Sequence, residues 1–219
     1  MPDGYKAVLF DLDGTLLDTL EDITDSMNEA LKRFELGGIG INDVRRFVGN
    51  GARKLILSYV EGKPSISDET IGRLVTAYSE IYSKNSAIKT KPYAGIPELL
   101  EWLKGKGICT GVLSNKPHST TLNVLKCYFP GYTFNFAAGE RAGIPRKPNP
   151  AGVYEFCKTL DISADAVLFA GDSEVDLETG RNAGIDCVGV LWGFRDKDTL
   201  VKCDPMALVS SPEGLKDFF

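Results

Sequence analysis

Short apolar runs that alternate with segments of helical periodicity constrain the fold of this chain more than any other sequence feature. Continuous apolar runs of this kind are typical of strands that are buried on both faces. The runs are KAVLF (6–10), TGVLS (110–114), AVLFA (166–170) and CVGVLW (187–192), with FNFAA (134–138) as a weaker candidate. Because helical patterns lie between them, we predict βαβ units and a parallel sheet with helices on its faces.

One long segment does not follow this alternation. From about Leu16 to about Lys91 no run is typical of a strand, and apolar residues recur at helical spacing instead. This periodicity predicts amphipathic helices, with Ser67 or Asp68 as the N-cap of the last one. The turn 49–51 (Gly-Asn-Gly) is predicted to join two shorter helices. The segment is too long for one crossover, which needs about a dozen residues.

The predicted fold class is therefore α/β, with a Rossmann-like parallel sheet core and an inserted all-helical subdomain. Residues 1–15 and 92–219 are assigned to the core, and residues 16–91 to the insert. The chain is expected to pass between the two near residues 16–19 and 91–94. The C-terminal tail is predicted only to close the sheet.

Polar residues stand where the predicted strands end, which is where ligands bind in open α/β sheets. If the strands are parallel, three carboxylates, a hydroxyl, an amide and an ammonium converge on one crevice. These residues are Asp11 and Asp13 after the first strand, Ser114 and Asn115 at the next, Lys147 before a later βα unit, and Asp172 after a further strand. A fourth carboxylate, Asp176, follows Asp172 by one helical turn.

The paired carboxylates Asp11 and Asp13 indicate a positive partner, since a buried charge costs several kcal/mol unless it is neutralised. At positions i and i+2 on a strand-like backbone, both would point the same way. Together with Asp172 they would repel one another without a divalent cation. Mg²⁺ is the predicted cofactor, because it prefers oxygen ligands and keeps water and phosphate oxygens. Taken alone, Asp-x-Asp-Gly could also be a polar turn.

Charge and composition argue against several other classes of protein. The net charge of -5 argues against a duplex nucleic-acid binder. No apolar segment is long enough to span a bilayer, and the N-terminus lacks the pattern of a secretory signal. The five cysteines are odd in number and form no C-x-x-C, which favours reduced thiols and a cytoplasmic protein.

Four motifs occur in a fixed order along the chain. They are D-x-D-G-T (11–15), S-N (114–115), K-P (147–148) and G-D-S-x-x-D (171–176). In this set, and over nearly its whole length, the sequence resembles the haloacid dehalogenase-like (HAD) hydrolase superfamily. Within that superfamily it is most similar to the phosphoglycolate phosphatase branch, which has a helical cap inserted after the first strand. Gly180 departs from the family pattern, in which alanine is expected, and this departure concerns a helix contact.

The resemblance implies a phosphatase that forms an aspartyl-phosphate intermediate with the help of Mg²⁺. Asp11 would be the nucleophile, and Asp13 the general acid and then the general base. The metal would be held by Asp11, by Asp172 and by the main-chain carbonyl of Asp13, with Asp176 orienting these ligands. The phosphate-binding residues would be Gly14, Ser114, Asn115 and Lys147.

The motifs do not fix the leaving group, so selectivity is assigned to the cap. Two glycines make the loop 48–53 able to approach a ligand, and Asn50 and Arg53 offer hydrogen-bond donors there. We predict a small acidic or polyol phosphate, with 2-phosphoglycolate first and sugar phosphates and pyrophosphate next. A cap would exclude polymers. The expected partner is therefore a small phosphorylated metabolite, with no nucleic acid and no membrane, and the expected state is a monomer or homodimer.

Other functions are weighed against this one. A sugar-phosphate mutase or an inorganic pyrophosphatase could use the same scaffold, and an assay is needed to separate them from a phosphatase. A dehalogenase lacks the second aspartate, so Asp13 argues against it. A phosphate-storing signalling receiver would be much shorter, and a catalytically inactive binding protein would lack a motif residue.

Overall fold

The computed structural model describes residues 4–63 and 66–219, and the chain divides into two compact units. One unit comprises the chain up to Asp18 together with Pro92–Phe219, and the other comprises Thr19–Lys91. The predicted division was at residues 15/16 and 91/92. The role of the second unit as a cap stays a prediction.

A parallel sheet forms the centre of the first unit. The strands of the described residues are β1 Ala7–Phe10, β2 Leu17–Asp18, β3 Lys91–Pro92, β4 Cys109–Pro117, β5 Phe136–Glu140, β6 Val167–Gly171, β7 Asp186–Val190 and β8 Ala207–Val209. Six of them pair in parallel in the order β5-β4-β1-β6-β7-β8. This confirms the predicted α/β fold. The tail supplies the edge strand β8, and β2 and β3 are two-residue strands at the ends of a segment for which no strand was predicted.

Strand β1 lies inside the sheet and is buried on both faces. Val8 and Phe10 pack into one apolar cluster, and Ala7 and Leu9 pack into another. Alternate residues of a strand point to opposite faces, so each cluster lies on its own side of the sheet. Two-sided burial is the physical reason for the continuous apolar run, and it places the next residue, Asp11, at the carboxyl edge of the sheet.

Helices account for most of the remaining chain. Their bounds are α1 Leu20–Arg33, α2 Ile41–Phe47, α3 Gly51–Val60, α4 Asp68–Asn85, α5 Ile96–Gly105, α6 His118–Tyr128, α7 Ala151–Leu160, α8 Glu174–Ala183 and α9 Lys197–Val201. The first four belong to the unit Thr19–Lys91, and the rest belong to the sheet unit. Of the two predicted N-caps of α4, Ser67 is the correct one, because its side chain accepts a hydrogen bond from the Thr70 N–H at 3.2 Å.

A buried carboxylate stabilises the end of the helical unit. Asp22, in the first turn of α1, accepts hydrogen bonds from the backbone N–H groups of Ile88, Lys89 and Thr90 at 2.9–3.1 Å. The Thr90 hydroxyl adds a further bond at 2.7 Å. These donors compensate the cost of burying the charge. Asp22 therefore joins the returning chain to the start of α1.

The departure at Gly180 has a packing explanation. Gly180 lies in α8 against Cys187 of β7, and a Cβ atom at position 180 would overlap the cysteine sulfur. The Cys187 thiol is buried and fills the space that an alanine methyl would occupy. The two residues therefore form one steric pair, and neither can be enlarged alone without moving α8 from β7.

We expect Gly180→Ala to destabilise the protein by about 1 kcal/mol. Overpacking costs about 1–3 kcal/mol, and the better helix propensity of alanine returns only about 1 kcal/mol. The double variant Gly180→Ala/Cys187→Ala should be more stable than Gly180→Ala, since the sulfur has gone. Urea unfolding of these two variants, of Cys187→Ala and of the wild type gives the free energies of unfolding for a double-mutant cycle. An unchanged stability of Gly180→Ala would mean that the thiol moves aside without cost.

Candidate active site

Parallel strands bring the predicted core residues to one edge of the sheet. All of them are buried except Asp13, which is partly exposed. They are Asp11 and Asp13 after β1, Ser114 and Asn115 near the end of β4, Lys147 before α7, Asp172 directly after β6, and Asp176 in the first turn of α8.

Three buried carboxylates form a compact cluster at this edge. Asp11, Asp172 and Asp176 each place one oxygen within 4.8 Å of the others. Within residues 4–63 and 66–219, this is the one group of His, Cys, Asp and Glu side chains close enough to hold a metal ion. The side chain of Asp13 does not belong to it. The resemblance implies that Asp13 takes part in metal binding, and its main-chain carbonyl, not its side chain, would be the ligand.

Lys147 bridges two members of the cluster. Its ammonium lies 2.7 Å from an oxygen of Asp11 and 2.7 Å from an oxygen of Asp176. The Asn115 amide donates to the Lys147 carbonyl at 3.0 Å, which ties the lysine backbone to the end of β4. The sequence-predicted residues Asn115 and Lys147 are therefore part of one hydrogen-bonded arrangement with Asp11.

The cluster carries more negative charge than its lysine neutralises. Burial raises the pKa of Asp11 well above its ordinary value, and the Asp176 carboxylate raises it further against the effect of Lys147. Burial also raises the pKa of Asp172 to about 7, with Asp176 adding to the shift. Burial alone would lower the pKa of Lys147, but Asp11 and Asp176 outweigh it and raise that pKa. A further positive charge would stabilise this arrangement.

The donor set fits a hard divalent cation. Carboxylate oxygens are the ligands that such cations prefer, and the excess negative charge of the buried cluster would attract a cation to it. Cys and His ligands, which softer metals prefer, are absent from the group. Asp11 and Asp172 are the side chains that the resemblance implies as ligands of the ion, and Asp176 lies beside them in the same cluster.

Asp176 is engaged by the start of its own helix. One of its oxygens accepts from the Ser173 N–H at 3.0 Å and from the Ser173 hydroxyl at 2.6 Å, and the other oxygen accepts from Lys147. Together with the Ser173 cap this is a capping box at the N-terminus of α8. The geometry suits the predicted role of orienting its neighbours, which stays a proposal.

Several groups that the sequence analysis did not identify position Asp172. The Thr15 hydroxyl donates to one of its oxygens at 3.2 Å, and the Phe194 N–H donates to the other at 2.7 Å. Trp192 in turn donates its indole N–H to the Thr15 carbonyl at 3.0 Å. The segment 192–194 follows β7, so the rule that ligands bind at strand ends would have pointed to it.

Two glycines make this close packing possible. A Cβ atom at Gly14 or at Gly193 would overlap Asp172, and Gly14 has a positive φ of 91°. The Gly14 N–H donates to the Leu17 carbonyl at 2.8 Å, so this amide already has an acceptor within the loop. The structural role of Gly14 is to leave room for the Asp172 carboxylate. Phosphate binding by Gly14 stays a prediction.

The two aspartates of the D-x-D motif have different partners. Asp11 contacts Lys147, whereas the carboxylate of Asp13 contacts the ammonium of Lys116. Strand β1 ends at Phe10, so the strand geometry that would point both side chains the same way does not extend to Asp13. Lys116 was not among the predicted site residues, although it follows Ser114 and Asn115 at the end of β4.

The predicted substrate-binding residues lie in the other unit. Asn50 directly precedes α3, and Arg53 is exposed in the first turn of that helix. Their part in binding stays a prediction. The described helices include none that combines the length and the apolar character needed to cross a membrane.

Known proteins resemble this chain along most of its length. The family model described as haloacid dehalogenase-like hydrolase matches residues 8–190. A phosphoglycolate phosphatase of Mannheimia succiniciproducens is 33% identical over 199 residues, which cover 89% of each chain. One of Mesorhizobium japonicum is 32% identical over 211 residues, covering 95% of this chain and 92% of the relative.

A solved structure agrees with these sequence relatives. That structure is of a Lactobacillus delbrueckii subsp. bulgaricus protein, which is provisionally described as a phosphoglycolate phosphatase. It superposes with a TM-score of 0.93 at 32% identity and covers 98% of each chain. The chain therefore belongs to the haloacid dehalogenase-like hydrolase family. Within that family it falls in the phosphoglycolate phosphatase-like branch, and it is an enzyme of the phosphoric monoester hydrolase class.

Proposed function

We propose that this protein hydrolyses a small phosphate monoester with Mg²⁺, through an aspartyl phosphate on Asp11, and that 2-phosphoglycolate is its leading substrate. The observation that carries the proposal is the carboxylate cluster at the end of β1 with Lys147 bridging Asp11 and Asp176. Such a site combines a nucleophile with positive charge for an incoming phosphate.

Asp11 would perform the first step. One carboxylate oxygen attacks phosphorus, a P–O bond to Asp11 forms, and the P–O bond to the leaving oxygen breaks. A carboxylate and a phosphate repel each other, so this attack needs positive charge close by. Lys147, at 2.7 Å from Asp11, supplies part of it from a buried position where electrostatic interactions are strong.

Mg²⁺ would supply the remaining charge, by neutralising the cluster and polarising the phosphoryl oxygens. Asp11 and Asp172 are the side chains proposed to hold it, with the main-chain carbonyl of Asp13. The Thr15 hydroxyl and the Phe194 N–H each donate a hydrogen bond to a different oxygen of Asp172, which fixes the orientation of its carboxylate. Asp176 would keep Lys147 in place rather than bind the ion.

Asp13 would transfer protons on the other side of phosphorus. In the first step its O–H bond breaks as the leaving oxygen takes the proton. In the second step a water molecule gives its proton to Asp13 while its oxygen attacks the phosphorus of the aspartyl phosphate, and Asp11 is released. Ser114 and Asn115, buried at the end of β4, would orient the phosphoryl oxygens through their hydroxyl and amide groups.

An acidic leaving group is favoured by the charge of α3. Arg53 and Lys54 are exposed in its first turn, where the helix end disfavours cations. Neither has an ion-pair partner among the residues that the structure describes. These two cations at the N-terminal end of a helix would attract a carboxylate such as that of 2-phosphoglycolate.

The cellular setting proposed for this reaction is the cytoplasm. All five cysteines are free thiols in the structure, and free thiols persist in a reducing compartment. The metabolite partner would be a small phosphorylated compound.

A panel of phosphate esters tests the proposal. Inorganic phosphate release would be measured with Mg²⁺ on 2-phosphoglycolate, ethyl phosphate, sugar phosphates, pyrophosphate, nucleotides and an aryl phosphate. We expect the highest kcat/KM for 2-phosphoglycolate. A clear preference for nucleotides would contradict the substrate class. Isomerised sugar phosphate without phosphate release would favour a mutase instead.

Arg53→Ala is expected to lower kcat/KM for 2-phosphoglycolate about 10- to 100-fold and to leave ethyl phosphate almost unchanged. The two esters differ by the carboxylate, and a hydrogen bond to a charged group is worth about 1.5–3 kcal/mol. Arg46→Ala is the matched control, because Arg46 is exposed in the same unit but pairs with Asp43. Equal losses on both esters would remove Arg53 from the substrate-binding residues.

A further inference from the structure

Each aspartate of the D-x-D motif has its own buried lysine. Lys147 contacts Asp11, and Lys116 contacts Asp13. Both lysine side chains are only 2% exposed, so neither ammonium is a solvated surface charge. Burying an ammonium costs several kcal/mol unless it is paired. Removal of Asp13 would therefore leave the Lys116 ammonium buried without this partner, and the pair lies where the proposed function needs the carboxylate.

Lys116 is itself held firmly at the end of β4. Its backbone N–H donates to the Ser114 hydroxyl at 3.1 Å, and its carbonyl accepts from the Thr121 hydroxyl at 3.3 Å. A Cβ atom at Gly139 of β5 would overlap that carbonyl, so the neighbouring strand packs closely against it. A side chain that starts from so restrained a backbone can hold its partner in one orientation.

The contact separates Asp13 from the other carboxylates. Asp13 lies only two residues after Asp11, yet its carboxylate is not part of the cluster of Asp11, Asp172 and Asp176. A free aspartate side chain samples several staggered rotamers. With Lys116 as partner, the orientation directed away from the cluster is the one that is stabilised.

We propose that Lys116 is a positioning residue that holds the Asp13 carboxylate away from the metal-binding carboxylates and at the leaving oxygen. The inference rests on the proposed function, in which the Asp13 proton passes to that oxygen as its bond to phosphorus breaks. Lys116 acts through Asp13 and not on the phosphoryl group. Loss of Lys116 therefore matters most where the leaving oxygen needs a proton.

The test compares two leaving groups in Lys116→Met. Ethyl phosphate needs protonation of its leaving oxygen, whereas p-nitrophenyl phosphate releases a stable phenolate without it. We expect kcat/KM to fall about 100-fold or more for ethyl phosphate and only a few-fold for the aryl ester. Asp13→Asn should show the same split. Lys104→Met, at an exposed lysine paired with Glu101, is the control and should change neither value.

A double variant keeps the test decisive if Lys116→Met folds poorly. Asp13→Asn/Lys116→Met removes both charges of the pair, which is less costly than leaving one unpaired. If Lys116 acts only through Asp13, the double variant should be as active as Asp13→Asn on both esters. A further loss of ten-fold or more on both would show that Lys116 acts on the phosphoryl group, and would overturn the inference.

The outcomes also separate this inference from the proposed function. A leaving-group split in Asp13→Asn without one in Lys116→Met would overturn only the role of Lys116. If Asp13→Asn shows no split, or the wild-type enzyme releases no phosphate from any ester, the proposed function fails as well.

Discussion

Asp11→Asn is expected to lower kcat by at least about 1,000-fold on every ester. An asparagine amide is a far weaker nucleophile than a carboxylate, so the aspartyl phosphate cannot form. The same change should leave the fold intact and stabilise the metal-free protein, because burial and the Asp176 carboxylate already raise the pKa of Asp11. Phosphate release and urea unfolding measure the two effects. Acid-quenched wild-type enzyme should carry phosphate on the peptide that contains Asp11.

Asp22→Asn is a matched control for this variant. Asp22 is also a buried aspartate, but its oxygens accept from Lys89 and Thr90 in the helical unit. Its replacement should destabilise the protein by about 1–3 kcal/mol while the folded fraction keeps its turnover. Loss of activity with gain of stability would thus be particular to Asp11. Near-normal turnover of Asp11→Asn would exclude Asp11 as the nucleophile.

Removal of divalent cations is expected to abolish activity, and Mg²⁺ should restore it. Without the ion the phosphate would meet the uncompensated charge of Asp11 and Asp172. Ca²⁺ should bind and raise the thermal unfolding temperature but support little turnover, since its larger and looser coordination lets Asp11 misalign. Full activity in excess chelator would disprove the metal requirement.

The metal should also change how stability depends on pH. The pKa of Asp172 is raised to about 7 in the folded protein, against an ordinary value of 3.8. Between these values the folded state binds more protons than the unfolded state, so the metal-free protein loses stability as pH rises from about 4 to about 7 and changes little above it. Bound Mg²⁺ should remove this decline, because it pairs the ionised carboxylates. Urea unfolding from about pH 5 to about pH 8, with and without Mg²⁺, measures it.

Asp172→Asn is the control for this pH dependence. The variant lacks the titrating carboxylate, so the decline in stability of the metal-free protein should be smaller. The stabilisation by Mg²⁺ should weaken as well. An identical decline in wild type and variant, with or without Mg²⁺, would show that the cluster is not the source.

Much of the fold could be predicted from local sequence. Strand β1 was recognisable because both of its faces are buried, which requires a continuous apolar run. The positions of Asp11 and Asp172 followed from the same pattern, since parallel strands all end at one edge of the sheet. The α4 cap at Ser67 was predictable for a similar reason, because capping depends on a side chain and its own helix.

Other features could not be predicted, because they depend on residues far apart in the chain. Asp13 and Lys116 are 103 positions apart, and Thr15 and Asp172 are 157 apart. Phe194 contributes only its backbone N–H to Asp172, a group that every residue except proline carries. The strand-end rule points to the segment 192–194, but no local pattern marks which of its N–H groups donates to Asp172.

The sequence by itself therefore determined the parallel sheet, the helical segment and the residues at the strand ends, because burial and periodicity are local properties of the chain. The tertiary structure decided which charged residues pair with each other: Lys147 pairs with Asp11, and Lys116 pairs with Asp13. It also decided that Gly14 and Gly193 enclose Asp172. Both arrangements arise only when loops from different strands pack together, since the packing selects which buried charge neutralises which.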